Sequence, residues 1–279
     1  MTSVSLVVTD LDGTFWHSDD QIPPEVVAAA GEVTGRGVPL LVATGRRLAS
    51  TRRPLARVGL TPPAVVLNGA LGLHLGTGER FHLAPYPAEQ ALAAYDAFVG
   101  VGLSPVVYVD GADHDVYFGH DTSTHATHVR GLSETAGVVR GPGDDGSDEL
   151  RAIAAQHPVL GFSVLGMAAT TANDAANALR PIVEVHVDRS IDVPGAVALT
   201  AAPAGQSKWD GVLAFCRAHD LDPTRVLAVA DGPNDIELLT NAAVAVVPEV
   251  AHELALELAD HVIPSAADGG WREILPLLN

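Results

Sequence analysis

Asp10 and Asp12 stand two residues apart at the exit of an apolar run, so both carboxylates start out on the same side of a strand. Two like charges so close destabilise one another unless a cation or a shared proton relieves them. Polar residues stand at comparable exits in three more places: Thr44, Lys208, and Asp231 with Asn234 and Asp235. A hard cation with oxygen ligands, most simply Mg²⁺, would satisfy the pair, with Asp231 and Asp235 completing the cage. A carboxylate is also a covalent nucleophile, and a second acid beside it can protonate a leaving group and then activate water. On a phosphoryl group this chemistry needs a metal, an ammonium and hydroxyl or amide donors, because negative charge spreads over the transferring oxygens. Lys208, Thr44 and the amides around Gly13 and Gly45 are groups of those kinds.

The elements that must carry these residues follow from the hydrophobic pattern. Ser3 to Thr9 is a short β-branched run, which predicts a strand buried on both faces. Pro23 and Pro24 open a helix to Gly35; Val38 to Ala43 predicts a strand, Leu48 to Val58 a helix and Ala64 to Leu67 a third strand. Such alternation builds βαβ units and a parallel sheet with helices on both faces, and open sheets of this kind bind ligands at the carboxyl ends of their strands. Leu71 to Leu75 and Arg80 to Leu83 then read as a hairpin. Mixed helices and hairpins follow, including helices near Thr122 to Gly131 and Thr171 to Leu179. From Ser207 the βα rhythm resumes, with helices over Val250 to Leu258 and at the C-terminus to Leu278. The expected fold is a Rossmann-like doubly wound parallel sheet interrupted by an α+β insertion. The core spans residues 1–84 and 203–279, and the insertion 85–202.

Composition narrows the function. The 279 residues carry a net charge of −18 and are 47% hydrophobic and 18% charged, which excludes disorder as the main state. So acidic a chain repels nucleic acid and anionic lipid, leaving a small molecule as the expected partner. No apolar run approaches about 18 residues and no basic leader precedes Asp10, so neither a membrane span nor a signal peptide fits and the expected compartment is the cytoplasm. Cys216 is the single cysteine, which excludes an internal disulfide framework. Among the 16 basic residues the single lysine is Lys208, and an ammonium is a point charge where arginine is a fork. The sequence sets no oligomeric state.

Taken together and in order, these residues resemble the haloacid dehalogenase superfamily of phosphohydrolases. VTDLDGT (Val8 to Thr14) is similar to its first motif, TGR (Thr44 to Arg46) to its second, Lys208 to its third and DGPNDIELL (Asp231 to Leu239) to its fourth. The insertion between the second and third motifs, NGA (Asn68 to Ala70) and a terminal DGG (Asp268 to Gly270) resemble the Cof-like branch, whose α/β cap sets specificity. The resemblance implies Asp10 as nucleophile and metal ligand, and Asp12 as general acid and base with its backbone carbonyl on Mg²⁺. It implies Thr44 holding the phosphoryl group, Lys208 steadying Asp10 and the phosphate, Asp231 and Asp235 on the metal, and Asn234 near phosphate or Lys208. Gly45, Arg46, Asn68 and Gly69 join Asn234 as expected substrate contacts. Departures are Ala230, where the family usually has Gly, and Phe15-Trp16-His17, where small aliphatic residues are commoner.

The implied activity is a Mg²⁺-dependent phosphomonoesterase acting on a small phosphorylated metabolite, with sugar phosphates as the leading class. A sugar phosphomutase or phosphotransferase on the same scaffold, or a phosphate-binding regulator without turnover, are the alternatives. Other patterns have plainer readings. His120, His125 and His128 lack the partners of a zinc site and read as cap histidines. Gly141 to Gly146 matches G-x-G-x-x-G, but Pro142 removes a donor and Asp144 and Asp145 repel a pyrophosphate, so it reads as a turn. Arg47, Arg52, Arg53 and Arg57 read as surface ion pairs, with Arg46 near substrate. Trp16 and His17 line the site by position, or Trp16 packs under the following loop.

Overall fold

The computed structural model describes residues 4–17, 20–111, 115–119, 121–135, 139–140, 147–190 and 193–278. The chain begins β1 (Leu6–Thr9), α1 (Pro24–Gly35), β2 (Leu40–Ala43), α2 (Leu48–Arg57), β3 (Pro63–Val66) and the hairpin β4 (Leu71–His74) and β5 (Arg80–Leu83). It continues through α3 (Ala88–Gly100), β6 (Val106–Val109), β7 (Val116–Phe118), α4 (Ala126–Thr135), β8 (Val139–Arg140) and α5 (Ser147–Gln156). Next come β9 (Val159–Met167), α6 (Ala169–Leu179), β10 (Glu184–Arg189) and β11 (Val197–Ala202). The last part holds α7 (Lys208–His219), β12 (Val226–Val229), α8 (Ile236–Asn241), β13 (Val244–Pro248), α9 (Glu253–Leu256) and β14 (His261–Ile263). No described helix is long and apolar enough to cross a membrane.

Two compact units result, Met1–Leu83 with Ser207–Asn279, and Ala84–Gln206. In the first, the sheet order is β14-β13-β12-β1-β2-β3-β4-β5, parallel from β14 to β3 and antiparallel at β4 and β5. The chain leaves β1 for β2 on one side and later returns as β12 on the other. That reversal opens a crevice at the carboxyl end of β1. Register keeps the strand ends level, since Thr9 lies opposite both Val42 and Val229. Alternate residues of β1 serve two faces. Leu6 and Val8 join a core with Val212 and Phe215 of α7, while Thr9 faces the other way and accepts a hydrogen bond from Trp271 Nε1 at 2.9 Å. In the second unit a sheet of order β10-β11-β9-β6-β7-β8 is antiparallel except where β7 meets β8. Ala91, Tyr95 and Phe98 of α3 and Ala172, Ala176 and Leu179 of α6 pack with Val107, Phe162 and Leu199 of that sheet.

The differences from expectation have local causes. Helix α4 starts at Ala126 because the Ser123 and His125 amides donate to the carbonyls of Ser104 and Leu165, outside any helix. Helix α9 shrinks to one turn that begins after His252, which takes the N-cap position with its Nδ1 accepting the Leu254 amide at 3.2 Å. Gly270–Leu278 winds as 3₁₀ turns rather than an α-helix, since Pro276 has no amide to donate and would crowd the Arg272 carbonyl in α geometry. Strand β11 has no counterpart in the sequence reading; it exists through antiparallel pairing with β9 and β10.

Helix α7 packs on β2 to β5, and Gly211 is its point of close approach: a Cβ there would sit 2.4 Å from Val65 Cγ1. Helix propensity alone predicts that Gly211→Ala stabilises by about 1 kcal/mol. Overpacking against β3 reverses the sign, so the variant should lose about 1–3 kcal/mol in denaturant unfolding. A midpoint at or above the parent's would contradict this packing.

Candidate active site

The crevice at the end of β1 gathers residues from five segments. Asp10 follows β1 and is 6% exposed. Lys208 is the first residue of α7, whose start is fixed by a cap in which the Ser207 amide and hydroxyl both donate to Asp210 Oδ2. Its ammonium is buried and donates to Asp10 Oδ1 at 2.9 Å and to Asp235 Oδ1 at 2.7 Å. Asp235 closes the Pro233–Asp235 turn after β12, where its Oδ2 accepts the Gly232 amide at 3.1 Å. Asp231 takes a hydrogen bond from the Thr14 hydroxyl at 2.8 Å. Gly13, at φ 77°, lies so close to Asp231 that a Cβ would come 2.3 Å from Oδ2, so a side chain there would displace the carboxylate.

Electrostatics follow from this crowding. Burial raises the Asp10 carboxyl well above the ordinary carboxylate range; Lys208 opposes the rise, and Asp235, Asp231 and Asp12 add to it. Burial and then Asp235 lift Asp231 to about 7, against the opposing Thr14 hydrogen bond and Lys208. Burial disfavours the charged Lys208, but Asp10 and Asp235 outweigh it and hold the ammonium more firmly protonated than usual. Asp10, Asp231 and Asp235 each offer an oxygen within 4.8 Å of the others. Three carboxylates around one ammonium leave surplus negative charge on hard oxygen donors, which suits a divalent cation. The Asp12 carboxylate is not in this cluster; the expected contact of that residue with metal was through its backbone carbonyl.

Asp12 has other partners. Arg46 donates to its two oxygens from Nε at 2.6 Å and Nη2 at 2.7 Å, and Trp16 Nε1 donates to Oδ1 at 2.7 Å. Arg46, expected near substrate, also donates to Asp20 at 2.5 Å and to the Ser50 carbonyl. Burial opposes its charge, and Asp12 and Asp20 together raise it further above its already high range. Trp16 is fully buried and His17 exposed, so of the two neighbours only Trp16 touches the acidic pair.

Thr44 follows β2; its Oγ1 accepts the Arg46 amide at 3.1 Å, which leaves the hydroxyl proton free to donate. Asn68 Oδ1 accepts from Asn234 Nδ2 at 3.1 Å, and a Cβ on Gly45 would fall 3.0 Å from that same Oδ1. Gly45, Asn68 and Asn234 therefore converge. Leu67, Asn68 and Gly69 all have positive φ, of 52°, 51° and 105°, so the backbone turns sharply to bring Asn68 in.

Thr14, Asp20 and Ser50 were not singled out in the sequence. Thr14 was legible as a hydroxyl within the first motif; nothing local marked Asp20 or Ser50. Arg52, Arg53 and Arg57 are exposed but form no ion pair with a described residue, and Arg47 is buried, so the expectation of surface pairs fails for this helix. His125 Nδ1 accepts the Thr127 amide as a cap, and His128 Nε2 meets Ser190 Oγ at 3.0 Å. His120 and Gly141 to Gly146 lie outside the described residues.

The sequence and the fold are similar to those of known proteins. A family model described as haloacid dehalogenase-like hydrolase matches residues 7–275. A phosphoglycolate phosphatase from Methanopyrus kandleri is 24% identical over 269 residues, covering 93% of this chain and 90% of that protein. Among solved structures, a sugar phosphatase of haloacid dehalogenase subclass IIB superposes with a TM-score of 0.74 at 19% identity, covering 98% of each chain. A haloacid dehalogenase-like hydrolase from B. subtilis reaches a TM-score of 0.80 at 16% identity, covering 99% of this chain and 100% of that one. At these identities the solved structures establish a shared fold.

The raised carboxyls make metal binding and protons compete. A carboxyl whose folded value lies near 7, above its ordinary 3.8, holds a proton in the metal-free fold that the unfolded chain has released. Metal-free stability should therefore fall as pH rises from about 5 to 8. Divalent metal affinity, measured by calorimetry, should fall about tenfold per unit below pH 7 as the cation displaces one proton. Affinity independent of pH between 6 and 8 would contradict the titration of Asp231.

Proposed function

Because this chain belongs to the haloacid dehalogenase-like hydrolases, we propose that it is a Mg²⁺-dependent phosphomonoesterase that works through a phosphoryl group on Asp10. One observation carries the reading. The only lysine in the chain is buried between Asp10 and Asp235, beside the three-carboxylate cluster, where ligands bind in such sheets. Lys208 occupies Asp10 Oδ1, and among the described residues Oδ2 accepts no hydrogen bond, so its lone pairs are free to attack phosphorus. As the new P–O bond forms, the bond to the departing oxygen breaks, and Asp12 supplies the proton that oxygen needs. Water then attacks phosphorus, Asp10 departs as carboxylate, and Asp12 takes the water's proton. The Thr44 hydroxyl, the Asn68–Asn234 pair and the amide of Gly45 are suited to hold the phosphoryl oxygens. Mg²⁺ on Asp10, Asp231 and Asp235, and on the backbone of Asp12, would neutralise charge on those oxygens.

The substrate is read as a small phosphorylated metabolite. Sugar phosphates lead, supported by the fold shared with a sugar phosphatase; phosphoglycolate is the second reading, supported by the name of the M. kandleri relative. We assign residues 84–206 the role of a cap that selects the substrate.

The test is phosphatase activity on an aryl phosphate and a panel of both substrate classes, with Mg²⁺ and with excess chelator. Chelator should abolish turnover. Asp10→Asn should remove phosphoenzyme altogether and lower kcat by at least about 10³-fold, since it removes the nucleophile itself. Normal turnover in either experiment would overturn the mechanism, and a product in which phosphate has moved to a second hydroxyl would mark a transferase.

A further inference from the structure

The Asp12 carboxylate is held by more than an ion pair. The turn after β1 is tight: the Gly13 amide bonds the Trp16 carbonyl at 2.8 Å and the Trp16 amide returns to Leu11 at 3.0 Å. That turn lays the indole of Trp16 beside Asp12, where Nε1 donates to Oδ1 at 2.7 Å. The face of the same ring lies 5.0 Å from the Arg46 guanidinium carbon, and Arg46 grips both Asp12 oxygens. The ring itself cannot drift. It is fully buried and meets Phe15 edge-on at 6.4 Å, Phe15 meets Trp271 edge-on at 5.0 Å, and Trp271 is bonded to Thr9 at the end of β1. A closed ring of contacts thus runs from the strand end, through three aromatic side chains, back to the carboxylate two residues beyond Asp10.

Packing alone would not require a nitrogen at this point; a ring without a donor would serve. The indole does two things that aliphatic packing cannot: it donates to one Asp12 oxygen and presents a π face to the cation that holds both. We propose that Trp16 is a positioning residue that fixes Asp12 in the orientation from which it takes the proton of the water attacking phospho-Asp10. The inference rests on the acid–base reading of Asp12 given above. In that step the water oxygen bonds to phosphorus, the phosphorus–Asp10 bond breaks with its electron pair left on Asp10, and the water proton passes to Asp12.

Trp16→Phe keeps a ring under Arg46 and removes the donor. The substrate is ³²P-labelled 4-nitrophenyl phosphate with Mg²⁺, whose good leaving group needs little protonation, so the first half-reaction is insensitive to Asp12. Phosphoenzyme formed in a short pulse is chased with unlabelled substrate, and its decay is followed by quenching. Decay should slow about tenfold, the loss expected for one charge-assisted hydrogen bond that orients the base. Phosphoenzyme at steady state should rise, while kcat/KM, which reports the first half-reaction, stays within about twofold. Decay at the parent's rate would overturn the proposal, as would equal loss in kcat/KM and decay, the signature of general disruption. Should Trp16→Phe not fold, benzothienylalanine at position 16, which keeps the bicyclic shape and lacks the N–H, must give the same slow decay. Parent enzyme that turns over without any phosphoenzyme would overturn the Asp10 mechanism, and this inference with it; parent phosphoenzyme with unchanged decay in the variants overturns this inference alone.

Discussion

A buried ammonium between two buried carboxylates is costly to assemble and more costly to break. Lys208 lies 2.9 Å from Asp10 and 2.7 Å from Asp235, and removing any one member leaves uncompensated charge in the interior. The rest of the first unit is arranged around that requirement. Asp10 is 198 residues from Lys208 and Asp235 is 27, so the contact closes only if β1, β12 and α7 pack in register. The parallel pairing of β1 with β12, the cap that starts α7 at Lys208 and the Pro233–Asp235 turn each set the place of one member. Even so the charge does not balance, because Asp231 adds a third carboxylate. The raised carboxyls of Asp10 and Asp231 are the sign of that imbalance and the physical reason that the site suits a divalent cation.

Two carboxylates separated by one residue have come to occupy opposite environments. Asp10 is buried against an ammonium, and one of its oxygens accepts nothing among the described residues. Asp12 is partly exposed, and both its oxygens are taken by an arginine fork and an indole. Strand geometry predicts that residues two apart share a side, and had the strand continued the two acids would have been equivalent. The chain instead leaves β1 at Asp10 and turns through Gly13, whose positive φ and close approach to Asp231 allow the reversal. The different environments of the two carboxylates, on which the proposed roles of nucleophile and acid–base group rest, therefore originate in where the strand stops.

Much of the architecture was legible. Short β-branched runs alternating with helical periods specify a parallel sheet, since a run buried on both faces has few other solutions. The type of each chemical group was legible as well: carboxylates, a hydroxyl, a single ammonium and glycines at strand exits are residues that packing does not explain. Less legible were elements whose backbone partners lie far away. Strand β11 is a weak strand in isolation and exists through pairing, and helix α4 is shortened because the His125 amide bonds Leu165 of a neighbouring segment.

By itself the sequence determined the fold class and the inventory of reactive groups, because periodicity and side-chain chemistry are properties of each residue and its near neighbours. Only the tertiary structure decided which groups meet. That Arg46 turns to Asp12 and Asp20, that Trp16 is a hydrogen-bond donor to an acid rather than buried filler, and that Asp12's carboxylate stands apart from the three-oxygen cluster depend on distances between segments brought together by packing. Charge and hydrogen-bond energies change over a few tenths of a nanometre, far below what spacing along a chain can specify.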